Sequence, residues 1–289
     1  MDNVTTQFVD VPGGRLAYQV RGNGPLLLVI GQPMTKEPFG PVADVLAADH
    51  TVVTYDPHGL GESTIDDPSL DVTPDVEADD LAALIDAVGG GPADVFGSSG
   101  GGVAALALAT RHPGKVRTVI AHEPPITELL PDAAHIRAAV DGVEAAYRGG
   151  GAGAGWGAFV SMVMHQGPMT EAGPAPAGWP PPGAGGDDDA HTEGAAPPEP
   201  SPKQQADDEL FFLRMLKPFT LFVPELEALK GGTPRVVVAV GEASHGEIAS
   251  RAAESLAERL GVPAARFPGD HGGFMADPAA FADAIRAHL

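Results

Sequence analysis

The 289-residue sequence contains no cysteine, which excludes disulfides, thiolate catalysis and cysteine-ligated zinc together. It is poor in positive charge: 17 Lys and Arg stand against 39 Asp and Glu, for a formal net charge of −22. A polyanion such as DNA needs clustered cations to neutralise its phosphates, so no nucleic-acid partner is expected. An acidic balance of this size bears on solubility and says little about substrate. No apolar run reaches the roughly 18–20 residues that span a bilayer, so no membrane partner is expected. The opening Met1-Asp2-Asn3-Val4-Thr5-Thr6 lacks a basic stretch followed by an apolar one, and the expectation is a cytoplasmic protein. His245, Glu247 and Asp270 match no metal-ligand spacing, and neither a metal nor another cofactor is expected.

What is present is core-forming material: 43% of residues are hydrophobic. The first 120 or so residues alternate strand-like and helix-like stretches, as in a mostly parallel sheet with crossover helices. Leu26–Ile30, Thr51–Tyr55, Ala93–Phe96 and Val116–Ala121 read as buried strands. Phe39–Ala48, Pro74–Val88 and Gly102–Arg111 read as helices between them. The rhythm breaks after residue 123 and resumes near 231 with a strand over Arg235–Val240, a helix over Gly246–Leu260, a strand over Ala264–Phe267 and a last helix over Phe274–Leu289. The expected layout is a core over 1–123 and 231–289, split by a helical cap insertion over 124–230. Within it, Pro131–Arg148, Trp156–Gln166 and Asp207–Lys217 read as helices. Residues 167–202, dominated by Gly, Pro, Ala and Asp, read as a flexible loop.

Gly97-Ser98-Ser99-Gly100-Gly101 matches G-x-S-x-G with a strand before it and a helix after it. The frame selects Ser99, because choosing Ser98 would put Phe96 at the first glycine position. Such a turn strains the serine backbone and admits only small flanking residues. It exposes a hydroxyl in front of a helix N-terminus, whose N–H groups favour a developing oxyanion. A phosphate-binding loop is the competing reading, but the stretch lacks the P-loop lysine and is shorter than a dinucleotide fingerprint.

Taken with Leu27–Met34, Tyr55-Asp56-Pro57-His58-Gly59-Leu60-Gly61-Glu62-Ser63 and Pro268-Gly269-Asp270-His271-Gly272, this elbow resembles the α/β-hydrolase superfamily, near haloperoxidase-like esterases and small lactonases. One departure is His58, where that family often has arginine. The resemblance implies an α/β-hydrolase fold: a mostly parallel sheet, flanking helices and an inserted cap. It also implies a triad in the order serine, acid, histidine, with His271 as general base; His58, His122 and His245 are weaker candidates for that role.

The acid is less direct. The usual family position, after the next-to-last strand, falls on Ser244 in Val240-Gly241-Glu242-Ala243-Ser244-His245. A neutral serine could hold an imidazole tautomer without stabilising an imidazolium. Glu123, in Ala121-His122-Glu123-Pro124-Pro125, is the first choice, because part of the superfamily, haloalkane dehalogenases included, takes its acid from that strand. Glu242 is the alternative and Asp270 the third. The expected oxyanion donors are the backbone N–H groups of Gly100 and Gln32, with Met34 second to Gln32, because Pro33 has no N–H. His58, Trp156, Phe159, Met162 and Phe212 are the expected substrate-binding residues.

The expected reaction is acyl transfer through an acyl-enzyme on Ser99, with a small-molecule carboxylic ester or lactone, bulky and largely apolar, as partner. Serine at the elbow argues against the haloalkane dehalogenases and epoxide hydrolases, which carry aspartate there. Glu123 following Ser99 also resembles the arrangement in zearalenone-type mycotoxin lactonases. The competing classes are a non-hydrolytic member of the superfamily (a ligand receptor, or a cofactor-free lyase or oxygenase) and a perhydrolase. Oligomeric state is left open, a homodimer or higher assembly included.

Overall fold

A computed structural model describes residues 4–173 and 200–289. Nine strands form one sheet: β1 (Gln7–Val11), β2 (Gly14–Arg21), β3 (Leu26–Gln32), β4 (Thr51–Tyr55), β5 (Thr64–Ile65), β6 (Ala93–Ser99), β7 (Val116–His122), β8 (Arg235–Gly241) and β9 (Ala265–Phe267). Their order is β1-β2-β4-β3-β6-β7-β8-β9, with the short β5 paired to β2. The pairs from β4–β3 through β8–β9 are parallel, while β1, β2 and β5 add an antiparallel margin.

Every residue of β3 is buried, because both sheet faces are covered and alternate side chains enter different cores. Leu26, Leu28 and Ile30 join one cluster with the helices α2 (Pro74–Val88), α3 (Gly100–Arg111) and α8 (Ile248–Leu260). Leu27 and Val29 join the other, with Val42, Ala43 and Leu46 of α1 (Gly40–Leu46), Phe274 of α9 (Gly273–Ala276), and Phe281 and Ile285 of α10 (Pro278–Arg286). The helix starts are written locally. Thr73 caps α2 by accepting the Val76 N–H at 3.3 Å, with Pro74 at the first position. Asp277 caps α10 in the same way through Ala280, so the single terminal helix read from Phe274 to Leu289 is two helices divided before Pro278.

Between β7 and β8 lie α4 (Ala133–Val163), α5 (Pro202–Leu210), a π-helical turn over Phe211–Met215, α6 (Leu216–Thr220) and α7 (Leu226–Leu229). The two helices expected in place of α4 run as one element broken at Gly151, whose φ of 72° and ψ of −167° leave the helical region. The expected loose loop begins differently from its composition. The Gly167 N–H donates to the Gly246 carbonyl, Arg251 donates to the Gly167 carbonyl at 2.7 Å, and the Met169 N–H donates to Asp132 at 2.6 Å. Residues 167–169 are therefore anchored to α8 and the start of α4, and Pro202 already opens α5. The remainder of that expected loop, 174–199, lies outside the described residues. No helix among the described residues is long and apolar enough to cross a membrane.

Candidate active site

The parallel register gathers the chemistry at the C-terminal ends of the central strands. Gln32 pairs with Ser99, Ser98 with His122, and His122 with Ala239. In open parallel sheets this edge collects side chains and helix N-termini into one crevice.

Ser99 closes β6 with φ 56° and ψ −126°, and α3 starts at the next residue. A non-glycine residue held there costs about 1–3 kcal/mol, which the surrounding packing must sustain. The flanking glycines are fixed by close backbone approach. A Cβ on Gly97 would lie 2.3 Å from the Gly101 carbonyl oxygen, and one on Gly101 would lie 2.6 Å from the Ile30 carbonyl oxygen. A Cβ on Gly100 would come within 2.9 Å of the Gln32 Cβ, so the end of β3 and the start of α3 touch.

Glu123 follows β7 directly and is the other non-glycine residue with positive φ, 46°, among the described residues. Its side chain is fully buried. Oε1 accepts the Gly241 N–H at 2.9 Å and the Ser244 hydroxyl; Oε2 lies 2.6 Å from His271 Nδ1. Burial works to raise the carboxyl pKa. The hydrogen bond and charge of His271 and the Ser244 hydroxyl outweigh it, and the group is held below its ordinary value. Ser244 thus occupies the usual acid position and serves as a donor to the carboxylate that reaches His271 from the neighbouring strand.

His271 is in the loop between β9 and α9, its side chain 36% exposed. Behind it His122 is fully buried, with ring centroids 6.1 Å apart, and Ser98 Oγ lies 3.0 Å from His122 Nδ1. Burial, aided by His271, pushes His122 down to about 3 against the pull of Glu123, so its ring is neutral and acts as packing.

Ser99, Gly100, Gln32 and His271 open together onto a cavity of about 550 Å³. Its far wall comes from the segment between β7 and β8: Trp156, Phe159 and Met162 of α4, then Phe211, Met215 and Phe219. Met34 lines the near wall. Three of the rings lock one another, with Trp156 stacked on Phe211 at 5.1 Å and Phe159 edge-on to both. Among the described residues no group of three or more His, Cys, Asp and Glu is placed to hold a metal ion.

A family model described as the alpha/beta hydrolase family matches residues 26–284. The chain belongs to that family. This alpha/beta hydrolase resembles, at a TM-score of 0.66 and 18% identity, a thermophilic esterase from Thermogutta terrifontis, over 99% of this chain and 100% of the other. It also resembles an alpha/beta hydrolase from Sphaerobacter thermophilus at a TM-score of 0.64 and 22% identity, over 98% and 99% of the two chains. Likeness at these identities concerns the fold, which is the expected mostly parallel sheet with flanking helices and an insertion. Among curated relatives, the uncharacterized hydrolase YraK of Bacillus subtilis is 40% identical over 123 residues, 42% of this chain and 45% of the relative. The matched stretch therefore spans less than half of that relative.

Two residues expected at the substrate are placed elsewhere in this alpha/beta hydrolase. His58 is buried away from the cavity: Nδ1 lies 2.7 Å from Asp80 Oδ2, Nε2 lies 3.2 Å from the Gly13 carbonyl, and its N–H donates to Glu77. Asp80 and Glu77 stand three residues apart on the inner side of α2, so the ring turns under the β1–β2 hairpin to meet them. Tyr55 donates to Glu77 at 2.6 Å and accepts from Gln32 at 3.4 Å, which ties this network to the cavity edge. Burial and the Asp80 charge push Glu77 up to about 7. Phe212 stacks on Tyr147 at 4.8 Å behind the wall. Of this neighbouring pair, Phe211 lines the cavity and Phe212 does not.

The remaining acid candidates do not reach the histidine. Glu242 is exposed where its N–H donates to the Phe267 carbonyl, and Asp270 is exposed with Oδ1 accepting the Gly272 N–H. His245 is exposed as well. The sequence marks the Ser244 position without showing it as a partner of Glu123, and it brings up Glu247, which lines the cavity, only as a candidate metal ligand.

Proposed function

We propose that this protein is a serine hydrolase that cleaves a carboxylic ester or lactone of a bulky, largely apolar substrate. The observation that carries the reading is a strained Ser99 sharing a cavity with His271, whose Nδ1 is bonded to a fully buried carboxylate. With Nδ1–H donating to Glu123, Nε2 is the nitrogen free to take a proton. Ser99 Oγ attacks the carbonyl carbon as His271 accepts its proton, and the Glu123 carboxylate stabilises the imidazolium. The N–H groups of Gly100 and Gln32 stabilise the oxyanion. The imidazolium then protonates the leaving alkoxide. Water, deprotonated by the same histidine, releases the acid and restores Ser99.

The aromatic and methionine wall supports an apolar substrate, and a volume near 550 Å³ suits a drug-sized molecule. Aromatic lactones of the mycotoxin kind fall within this class. A fluorophosphonate probe is expected to label the wild-type protein stoichiometrically and to leave Ser99→Ala unlabelled. A wild-type protein that resists the probe would overturn the reading and favour a receptor, lyase or oxygenase.

A further inference from the structure

Glu247 is the acidic side chain on the wall of a cavity otherwise lined largely by apolar groups. Its backbone is pinned on both sides. It bridges to Gln166, its N–H donates to the Ser244 carbonyl, its carbonyl accepts from Arg251, and the preceding Gly246 accepts from Gly167. Its carboxylate, in contrast, does not cap α8, the helix it precedes. Among the described residues it has no side-chain hydrogen bond or ion pair. Arg251, one turn along the same helix, is committed to Asp132 at 2.6 Å and to the Gly167 carbonyl. Burial and the charges of Glu123 and Asp270 push Glu247 above its ordinary value, with His271 opposing them. Among the described residues no side chain is bonded to this carboxylate, which leaves that pairing to a ligand.

The rest of the cavity has the same bias. No Lys or Arg lines it among the described residues, and the sequence from 174 to 199 contains none. Trp156, Phe159 and Phe211 present aromatic rings on the wall, and aromatic faces attract cations, with indole strongest. A net charge of −22 draws cations toward the surface.

We infer that Glu247 is a specificity-determining residue that selects esters carrying an ammonium group on an otherwise apolar body. The carboxylate receives the cation at one end of the cavity, the Trp156 cluster covers its alkyl part, and Ser99 meets the ester carbonyl. This inference rests on the ester-hydrolase reading above.

The test compares two isosteric chromogenic esters, 4-nitrophenyl 5-(trimethylammonio)pentanoate and 4-nitrophenyl 6,6-dimethylheptanoate, which differ by N⁺ for C at the branch point. In Glu247→Gln the ratio of kcat/KM for the cationic ester over the neutral one is expected to fall about tenfold, carried by KM of the cationic ester. Glu247→Lys should lower it further. An unchanged ratio overturns the inference, and so does an equal loss of kcat on both esters, which would mean that Glu247 acts through His271. Should neither ester turn over, the hydrolase reading fails. Calorimetric binding of butyltrimethylammonium to wild type and Glu247→Gln then decides the subsite separately: weaker binding to the variant supports it, and equal or absent binding overturns it.

Discussion

Glu123 Oε2 lies 2.6 Å from His271 Nδ1, a contact closed across 148 residues of chain. The carboxylate comes from the end of β7 and the histidine from the loop after β9, so β8 separates the strands they follow. Glu123 crosses under the end of β8 and takes a hydrogen bond from the Gly241 N–H on the way. A glutamate is long enough for that path, and the β8 loop is left to supply Ser244 as a second donor.

Glu123→Gln should therefore cost most of the catalytic rate. Losing the acid of a serine triad while keeping its shape lowers kcat by about 10⁴-fold in the best-studied hydrolases, because the imidazole takes the wrong tautomer. A drop of about 10³- to 10⁴-fold on a chromogenic ester is expected here. Glu242→Gln should stay within a fewfold of wild type, and near-normal turnover of Glu123→Gln would remove it from the triad.

Ser244→Ala should have an intermediate effect. Hydrogen bonds to charged groups contribute about 1.5–3 kcal/mol, and the Gly241 N–H and His271 still hold the carboxylate. Steady-state kinetics should show a loss of about ten- to a hundredfold in kcat, with Ser244→Thr recovering part of it. A variant as damaged as Glu123→Gln would mean that the hydroxyl does more than steady the acid.

Gly101→Ala should fail structurally before it fails chemically. The added methyl would meet the Ile30 carbonyl oxygen at 2.6 Å and Gly31 Cα at 2.7 Å, both of them backbone atoms. Thermal melts should show a Tm lower by several degrees or more, or little folded protein. A melt equal to wild type would mean that β3 and α3 separate more easily than their packing suggests.

The Glu77 network should contribute less stability as pH rises. Glu77 moves from 4.5 to about 7 in the folded state. His58 is raised as well: burial lowers it, but its bond to Asp80 and the charges of Asp80 and Glu77 outweigh that. Both groups hold protons that the unfolded chain releases sooner, so the native state binds the excess across this interval. His122 works the other way: its ring stays neutral in the fold down to about 3 but takes a proton in the unfolded chain, so it adds stability as pH rises over much of the same interval. Because glutamine cannot titrate, Glu77→Gln isolates this carboxyl: its Tm relative to wild type should climb as pH rises from about 5 to about 7.5, whatever its absolute Tm. A Tm difference between the two proteins that stays constant or falls over that interval would contradict the assignment.

Much of this was legible in the sequence, because burial on both sheet faces leaves continuous apolar runs. Thr51–Tyr55 and Pro74–Val88 are the structural elements to the residue, and the Ser99 turn follows from its glycine frame. The β1–β2 hairpin left no such run, since most of β1 is solvent-facing and Phe8 is 43% exposed. Composition alone did not separate 167–169 from the rest of its Gly/Pro-rich stretch. Their anchoring depends on Asp132 and Arg251, distant in sequence. His58 was misplaced for a related reason: its partners Glu77 and Asp80 look like ordinary solvent-facing acids of an amphipathic helix, although both are buried. Glu247 had no signal as a cavity residue, because an unpaired carboxylate in a cavity is recognised only by what fails to surround it.

The methionines on the cavity wall carry a liability of another kind. Met34, Met162, Met164 and Met215 all border the space in front of Ser99, and Met164 is 53% exposed. Peroxide converts a thioether into a polar, chiral sulfoxide, so oxidation would wet this apolar chamber from within. With no cysteine to intercept the oxidant, the redox history of a preparation would be written at the site itself, in lost affinity for apolar substrates that methionine sulfoxide reductase could restore.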